Sequence, residues 1–280
     1  MAAETQTGSS TANKSLLTRL SEAVNVKIAL TAFAGFMMLY IYAPIISLIV
    51  FSFNGGGLTF PFVEFSTEWY TVLFNNQGFV DATVRSLQLA LVVTVITTVL
   101  STAAALAYRY DFWGQRGLLY LLILGIITPG ITYGVGSSLL LTELLGLSTG
   151  LWLATPVHVV WTVPFAVIIL LAGFPRTLAE NERAARVMGA DRWTRFREVI
   201  LPQIAPTVLG AAVFAFTLSY NEATRGLLLV GRDNTLPIAI FAEAAGTRAT
   251  PELFALGSVT TILSTVLLTI GGGIILYSSN

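Results

Sequence analysis

The sequence has no cysteine, one histidine and two lysines in 280 residues. The first absence removes disulfides, thiolate metal sites and cysteine nucleophiles together. A lone His158 gives no basis for a histidine-rich metal centre. The lysines, Lys14 and Lys27, sit in no G-x-x-x-x-G-K-[ST] pattern, so the chain supplies no phosphate-cradling P-loop of its own. Charge is scarce as well: 11% of residues are charged and the formal net charge is zero, leaving no global basic field for a nucleic acid.

What the chain has in quantity is apolar sequence. Hydrophobic residues make up 55% of it, and its mean hydropathy is +0.77. Apolar stretches fall at about 28–53, 84–108, 117–142, 151–173, 206–230 and 253–277. Each is longer than the ~20 residues an α-helix needs to cross ~30 Å of hydrocarbon. Alternating ten-residue segments, the mark of a membrane β-barrel, are absent. The expected fold is an all-α polytopic membrane protein with six transmembrane helices in a single domain, residues 21–280. Residues 1–20, rich in Ser, Thr and Ala without periodicity, are expected to be a disordered tail.

Arginine and lysine set the orientation. They occur in the N-terminal segment (Lys14, Arg19, Lys27), after the second stretch (Arg109, Arg116) and in a dense group from Arg176 to Arg197. The loop from Asn54 to Gly78 and the turn around Glu143 have none, while Arg232 and Arg248 fall in the last outer loop. This bias predicts both termini in the cytoplasm.

The dense group lies in a connection, residues 174–205, that reads as helix, turn, helix. Ala179–Met188 is rich in helix formers with Glu180 and Glu182 near its start. Gly189 permits a left-handed stop and Asp191 can cap a second helix over Arg192–Ile200, ended by Pro202 and Pro206. Trp193, Phe196 and Val199 share a face of it. The residues alone allow two readings: a membrane-surface helix held by lipid phosphates, or a basic elbow offered to a cytoplasmic partner.

Ala184-Ala185, Gly189, Val199 and Leu201-Pro202 stand at the spacings of the loop motif E-A-A, three residues, G, nine residues, I, one residue, L-P. In this the chain resembles the permeases of bacterial ATP-binding-cassette (ABC) importers. Arg183 departs from the pattern, the glutamate standing one residue earlier at Glu182. FSFNGGG and FSTEWYTVLFNN in the first outer loop, and TLPIAIFAEAAGTRATPELFALGSV before the last stretch, resemble the spermidine/putrescine-type branch, specifically its second permease subunit. The resemblance implies a multi-pass protein of the bacterial inner membrane whose loop is a coupling helix, with Glu182, Arg183, Ala184, Ala185, Gly189, Ala190 and Asp191 at the docking site. It implies as partners two ATP-binding subunits, a second permease subunit and an extracytoplasmic solute-binding protein. No cofactor is expected on this chain; ATP and Mg belong to the ATPase subunits.

Polar residues inside apolar stretches mark candidate solute pathways. TLSYNEATRG in the fifth stretch places Thr217, Asn221, Thr224 and Arg225 on one helical stripe, with Tyr220 and Glu222 beside it. TPGITYGVGSS in the third, which includes Tyr133, has a proline and three glycines that loosen a helix for a pathway or for close packing. Glu222 and Arg225 at i, i+3 read either as pathway residues or as a self-neutralising pair. Polyamine-type permeases resemble this chain around Ser219-Tyr220-Asn221-Glu222 but tend to have a pair of acids there. Asn221 replaces one of these acids and Arg225 follows, which favours a zwitterionic, anionic or otherwise polar small solute over a polycation. Two other classes are weaker. A secondary transporter or channel needs more buried acids than Glu222. An intramembrane serine protease could pair Ser137 or Ser138, beside Gly136, with His158, but no G-x-S-x-G is present.

Overall fold

The computed structural model describes residues 26–57, 60–246 and 251–278, and among them the architecture is helical throughout, with one isolated bridge between Asn54 and Phe65. The tail at residues 1–20, Lys14, Arg19 and Arg248 lie outside the described residues. The long helices are α1 (Val26–Phe51), α3 (Gln77–Ala107), α6 (Thr155–Gly173), α9 (Leu201–Tyr220) and α11 (Pro251–Ser278). Between them lie α2 (Glu68–Asn75), α4 (Gln115–Ile127), α5 (Gly130–Ser138), α7 (Leu178–Val187), α8 (Arg192–Thr194) and α10 (Leu236–Gly246).

The centre of the bundle is the trio α3, α6 and α9, each packed on the other two, with α11 laid against α9. Small and hydroxylated residues make the close approach possible. The hydroxyls of Thr97 on α3 and Thr162 on α6 are 2.6 Å apart, both fully buried. His158 Nδ1 on α6 meets Ser219 Oγ on α9 at 2.9 Å, also buried. Each such pair satisfies polar groups that lipid cannot. The outer faces are the reverse: Val95 and Val99 of α3, and Leu30, Phe33 and Leu39 of α1, are exposed as lipid contacts would be. Helix α1 stands at the periphery, with its main contact to α11.

Among the described residues five helices are long and apolar enough to cross a membrane singly, and the α4–α5 pair makes a sixth span if taken together. That pair is bent by 105°. The third stretch is therefore not one helix over 117–142. It breaks at Thr128-Pro129, where Pro129 has no N–H to give to the ladder and pushes Thr128 into extended backbone. Its second half ends in a widened π-turn over Leu139–Leu144.

Three more boundaries differ from the sequence expectation. Helix α3 begins at Gln77 rather than 84, started by Asn76, whose side chain accepts from the Gly78 N–H at 3.0 Å. The fifth helix stops at Tyr220 instead of running to 230; residues 221–235 form a chain of turns folded into the protein. Pro202 and Pro206 do not end the second loop helix, because Arg192–Tyr220 is continuous. The backbone passes through a π-turn at Arg195–Ile200, with Leu201 N–H bonding back to Phe196, just before Pro202. Pro202, in the first helical turn after this widening, loses no regular bond, whereas Pro206 stands inside the helix, which continues past it.

Candidate functional site

Two clusters of sequence-marked residues occupy different parts of the bundle. At one end, α7 and α8 form the elbow. Gly189 has φ +88°, the left-handed conformation that a Cβ would strain. Around it Gly189 N–H bonds to Arg186 O at 3.1 Å and Ala190 N–H to Ala185 O at 3.0 Å, the paired bonds of a Schellman stop. Asp191 then accepts from Thr194 N–H at 3.0 Å as the cap of α8. Hydrogen bonds from the Thr194 side chain and then its backbone hold the Asp191 carboxyl below its usual range, burial opposing and Arg195 adding a smaller pull in the same direction.

The elbow is fixed from behind by Glu182, which is buried. Its carboxylate accepts from Arg109 Nη2 at 2.6 Å and from the Tyr110 hydroxyl at 3.3 Å, both in the turn just after α3. Arg195 lies at 3.9 Å and Arg186 at 4.0 Å. The glutamate one residue ahead of the motif position thus points inward, while Arg183 and Ala184 are exposed and Ala185 is buried against the bundle. At the tip Val187 and Met188 are 88% and 80% exposed. Among the described residues nothing covers these two apolar side chains. Arg109 and Arg195 enter only through the fold: in the sequence they were topological charges.

The second cluster sits where α9 ends. Glu222 and Arg225 are both buried and paired, Nη1 to Oε2, at 2.7 Å. Glu222 Oε1 also accepts from Thr224 N–H (2.8 Å), Thr224 Oγ1 (2.8 Å) and Arg225 N–H (3.0 Å). Arg225 Nη2 donates to Thr128 O at 3.3 Å, and the guanidinium lies 3.4 Å from the Trp161 ring centroid. This turn is docked into the α4–α5 break. A Cβ on Gly134 would come within 2.9 Å of Arg225 O, and one on Gly130 would meet the Thr224 and Arg225 side chains.

The helical stripe expected of Thr217, Asn221, Thr224 and Arg225 is therefore not formed, since α9 has ended before three of the four. Asn221 is exposed and turns to α11, donating to Ser264 Oγ at 3.1 Å, and Thr217 on α9 is half-buried. Tyr220 is buried in another cluster with Leu73, Leu236 and Leu256. Tyr133 packs on the core around Val93 and Val157. Only Glu222, Thr224 and Arg225 converge, joined by Trp161 and Thr128, which sequence spacing does not reveal. The His158 partner is Ser219, so the pairing with Ser137 or Ser138 that a protease would need is not made.

A bundle of this kind, with a basic elbow at one end and a broken span inside, belongs to membrane transport, and comparison bears this out. Residues 98–278 match the family described as "Binding-protein-dependent transport system inner membrane component". The chain belongs to that family: it is a permease subunit of a binding-protein-dependent ABC importer and not an enzyme. It is 33% identical over 233 residues to the spermidine/putrescine transport system permease protein PotC of Escherichia coli K12, covering 81% of this chain and 86% of that one. To the putrescine transport system permease protein PotI of the same organism it is 27% identical, covering 78% and 80%. The fold is similar to that of a bacterial ABC transporter involved in the import of the acidic polysaccharide alginate, with TM-score 0.67 over 94% of this chain and 98% of that one at 15% identity.

Proposed function

We propose that the elbow is the coupling element, seated in a cleft of an ATP-binding subunit, with Glu182, Arg183, Ala184, Ala185, Gly189, Ala190 and Asp191 as its docking region. The observation that carries this reading is the tip: Val187 and Met188 stand almost fully exposed at the end of α7, just ahead of the Schellman stop at Gly189, on a base locked by Glu182. Two exposed apolar side chains on a rigid protrusion suit an apolar receptor. ATP and Mg are bound by two such subunits and not by this chain. A second permease subunit completes the pathway, and an extracytoplasmic binding protein delivers the solute. The elbow, and with it both termini, faces the cytoplasm of a bacterial cell.

The solute is a small polar organic compound, the class in which PotC and PotI are named. Glu222, Thr224 and Arg225 line or brace its route, while Tyr133, Thr217, Tyr220 and Asn221 stand elsewhere in the bundle and are not gathered with them. Because the Glu222 carboxylate is already matched by Arg225 and three further donors, this turn offers a passing polycation little attraction. The test is co-purification of the ATP-binding subunit with the wild type and with Val187→Asp/Met188→Asp, together with uptake of labelled putrescine, spermidine and a zwitterionic amino acid. Equal recovery of ATPase with the variant overturns the docking assignment; the uptake profile fixes the solute independently.

A further inference from the structure

Behind the elbow is a cavity of about 440 Å³, and its charge is lopsided. Arg109, Arg186, Arg192 and Arg195 line it against a single carboxylate, Glu182. That carboxylate is already engaged at hydrogen-bond distance by Arg109 and Tyr110. Arg186 and Arg195 stay at 4.0 and 3.9 Å from it, too far for a hydrogen bond. Arg192 makes no ion pair among the described residues, and Arg195 Nε is buried without an acceptor although Nη1 donates to Ala190 O at 2.9 Å. A buried guanidinium N–H with nothing to donate to costs desolvation energy that an anion arriving in the cavity restores.

We propose that this cavity binds a phosphate group, and that the group is the headgroup of an anionic phospholipid. Several guanidinium groups around one space suit a tetrahedral anion with acceptor oxygens on each side. The apolar part of the lining, Leu106, Phe196 and Ile200, identifies the source as lipid. Leu106 belongs to the last turn of α3 and Ile200 runs directly into α9, so both lie where two membrane spans emerge, with Leu201 exposed next in line. A free phosphate has no use for that wall, whereas a glycerol backbone and acyl chains do. The lipid would brace the elbow against the bundle beside the Glu182–Arg109 contact. The inference does not depend on the elbow's docking role.

The experiment uses the intact transporter in nanodiscs of phosphatidylcholine alone or mixed with phosphatidylglycerol, comparing wild type with Arg186→Gln/Arg192→Gln. Both side chains are exposed, and their loss leaves the Glu182–Arg109 pair in place, so the variant folds. Native mass spectrometry reads retained lipid and thermal unfolding reads stabilisation. The wild type is expected to retain phosphatidylglycerol and gain Tm from it, and the double variant to lose both several-fold. Addition of inorganic phosphate to the phosphatidylcholine discs separates the sources: a full Tm gain from phosphate with none from phosphatidylglycerol overturns the lipid assignment. Equal lipid retention by variant and wild type overturns the site. Equal retention with loss of the ATP-binding subunit means that the arginines serve a protein partner instead, and also overturns it.

Discussion

Glu182 and Arg109 are 73 residues apart in sequence and 2.6 Å apart in space, tying the elbow to the end of a core helix. Their side chains are 9% and 15% exposed, so the contact is largely withdrawn from solvent. The pair joins the elbow to the segment that follows α3, and α3 packs on both α6 and α9. Replacing Glu182 by Ala leaves Arg109 half-buried without its carboxylate. We expect a loss of about 2–3 kcal/mol, from one charge-assisted bond and the uncovered cation. Thermal unfolding of the purified chain checks this, with Glu182→Asp restoring part of the loss.

The Glu222–Arg225 turn predicts an asymmetry. In Arg225→Gln, Glu222 keeps three donors from the backbone and the Thr224 hydroxyl. In Glu222→Gln, the new amide nitrogen faces a guanidinium that retains only Thr128 O and the Trp161 ring. Glu222→Gln is therefore expected to lower stability more, by about 1–3 kcal/mol relative to Arg225→Gln. A larger loss in Arg225→Gln, measured by thermal unfolding, contradicts the network. Uptake assays on the same pair report on the solute: an anionic group makes Arg225 at least as important as Glu222.

Gly134 and Gly136 lie on one short helix but differ in surroundings. A methyl on Gly134 strikes the Arg225 backbone, whereas at Gly136 nothing lies within 4 Å. Gly134→Ala is expected to cost about 1–3 kcal/mol and to reduce transport by displacing the turn. Gly136→Ala is expected to be neutral or slightly stabilising through its helix preference. Matched effects in the two variants would show that the glycines act through helix flexibility and not through docking.

At the elbow, a Cβ on Gly189 meets nothing within 4 Å, so the expected cost of Gly189→Val is backbone strain, about 1–2 kcal/mol at φ +88°. Asp191→Lys removes the cap of α8. The double variant is expected to reach the membrane, lose its ATP-binding subunit and fail to transport; normal uptake refutes the coupling role. The Asp191 carboxyl has a folded pKa below its unfolded one, so its contribution is complete above the unfolded value of about 3.9 and disappears as pH falls through the lower folded value. At neutral pH, docking is therefore expected to be insensitive to small pH changes through this group. Measuring ATPase association from pH 6 to 8 (roughly the range in which only histidine titrates) tests that.

Orientation is accessible because the chain has no cysteine of its own. Ser148→Cys is expected to react with an impermeant thiol reagent in intact cells, and Met188→Cys only after the membrane is opened. Both positions are exposed. Labelling of residue 188 from outside reverses the topology.

Hydropathy, arginine placement and the Gly189–Asp191 punctuation are properties of neighbours in sequence, and each was legible there. Apolar run length gave the spans, and the motif spacing gave a stop and a cap that appear at Gly189 and Asp191. The fifth span failed at Tyr220 because residues 221–230 are apolar enough for a helix, yet their buried polar groups are satisfied by a turn fitted into the α4–α5 break. That choice depends on Gly130, Gly134, Thr128 and Trp161, which lie far away in sequence and exert no local signal. The same holds for Glu182: sequence shows a glutamate one place from its motif position, and only the approach of α3 decides that it turns inward to Arg109. Apolar run length marks which segments are long enough to cross the membrane. Glu222 pairs with Arg225 three residues on, as the spacing allowed, but Glu182 reaches Arg109 only through packing, because a charge withdrawn from water takes its partner from whichever element the fold brings alongside.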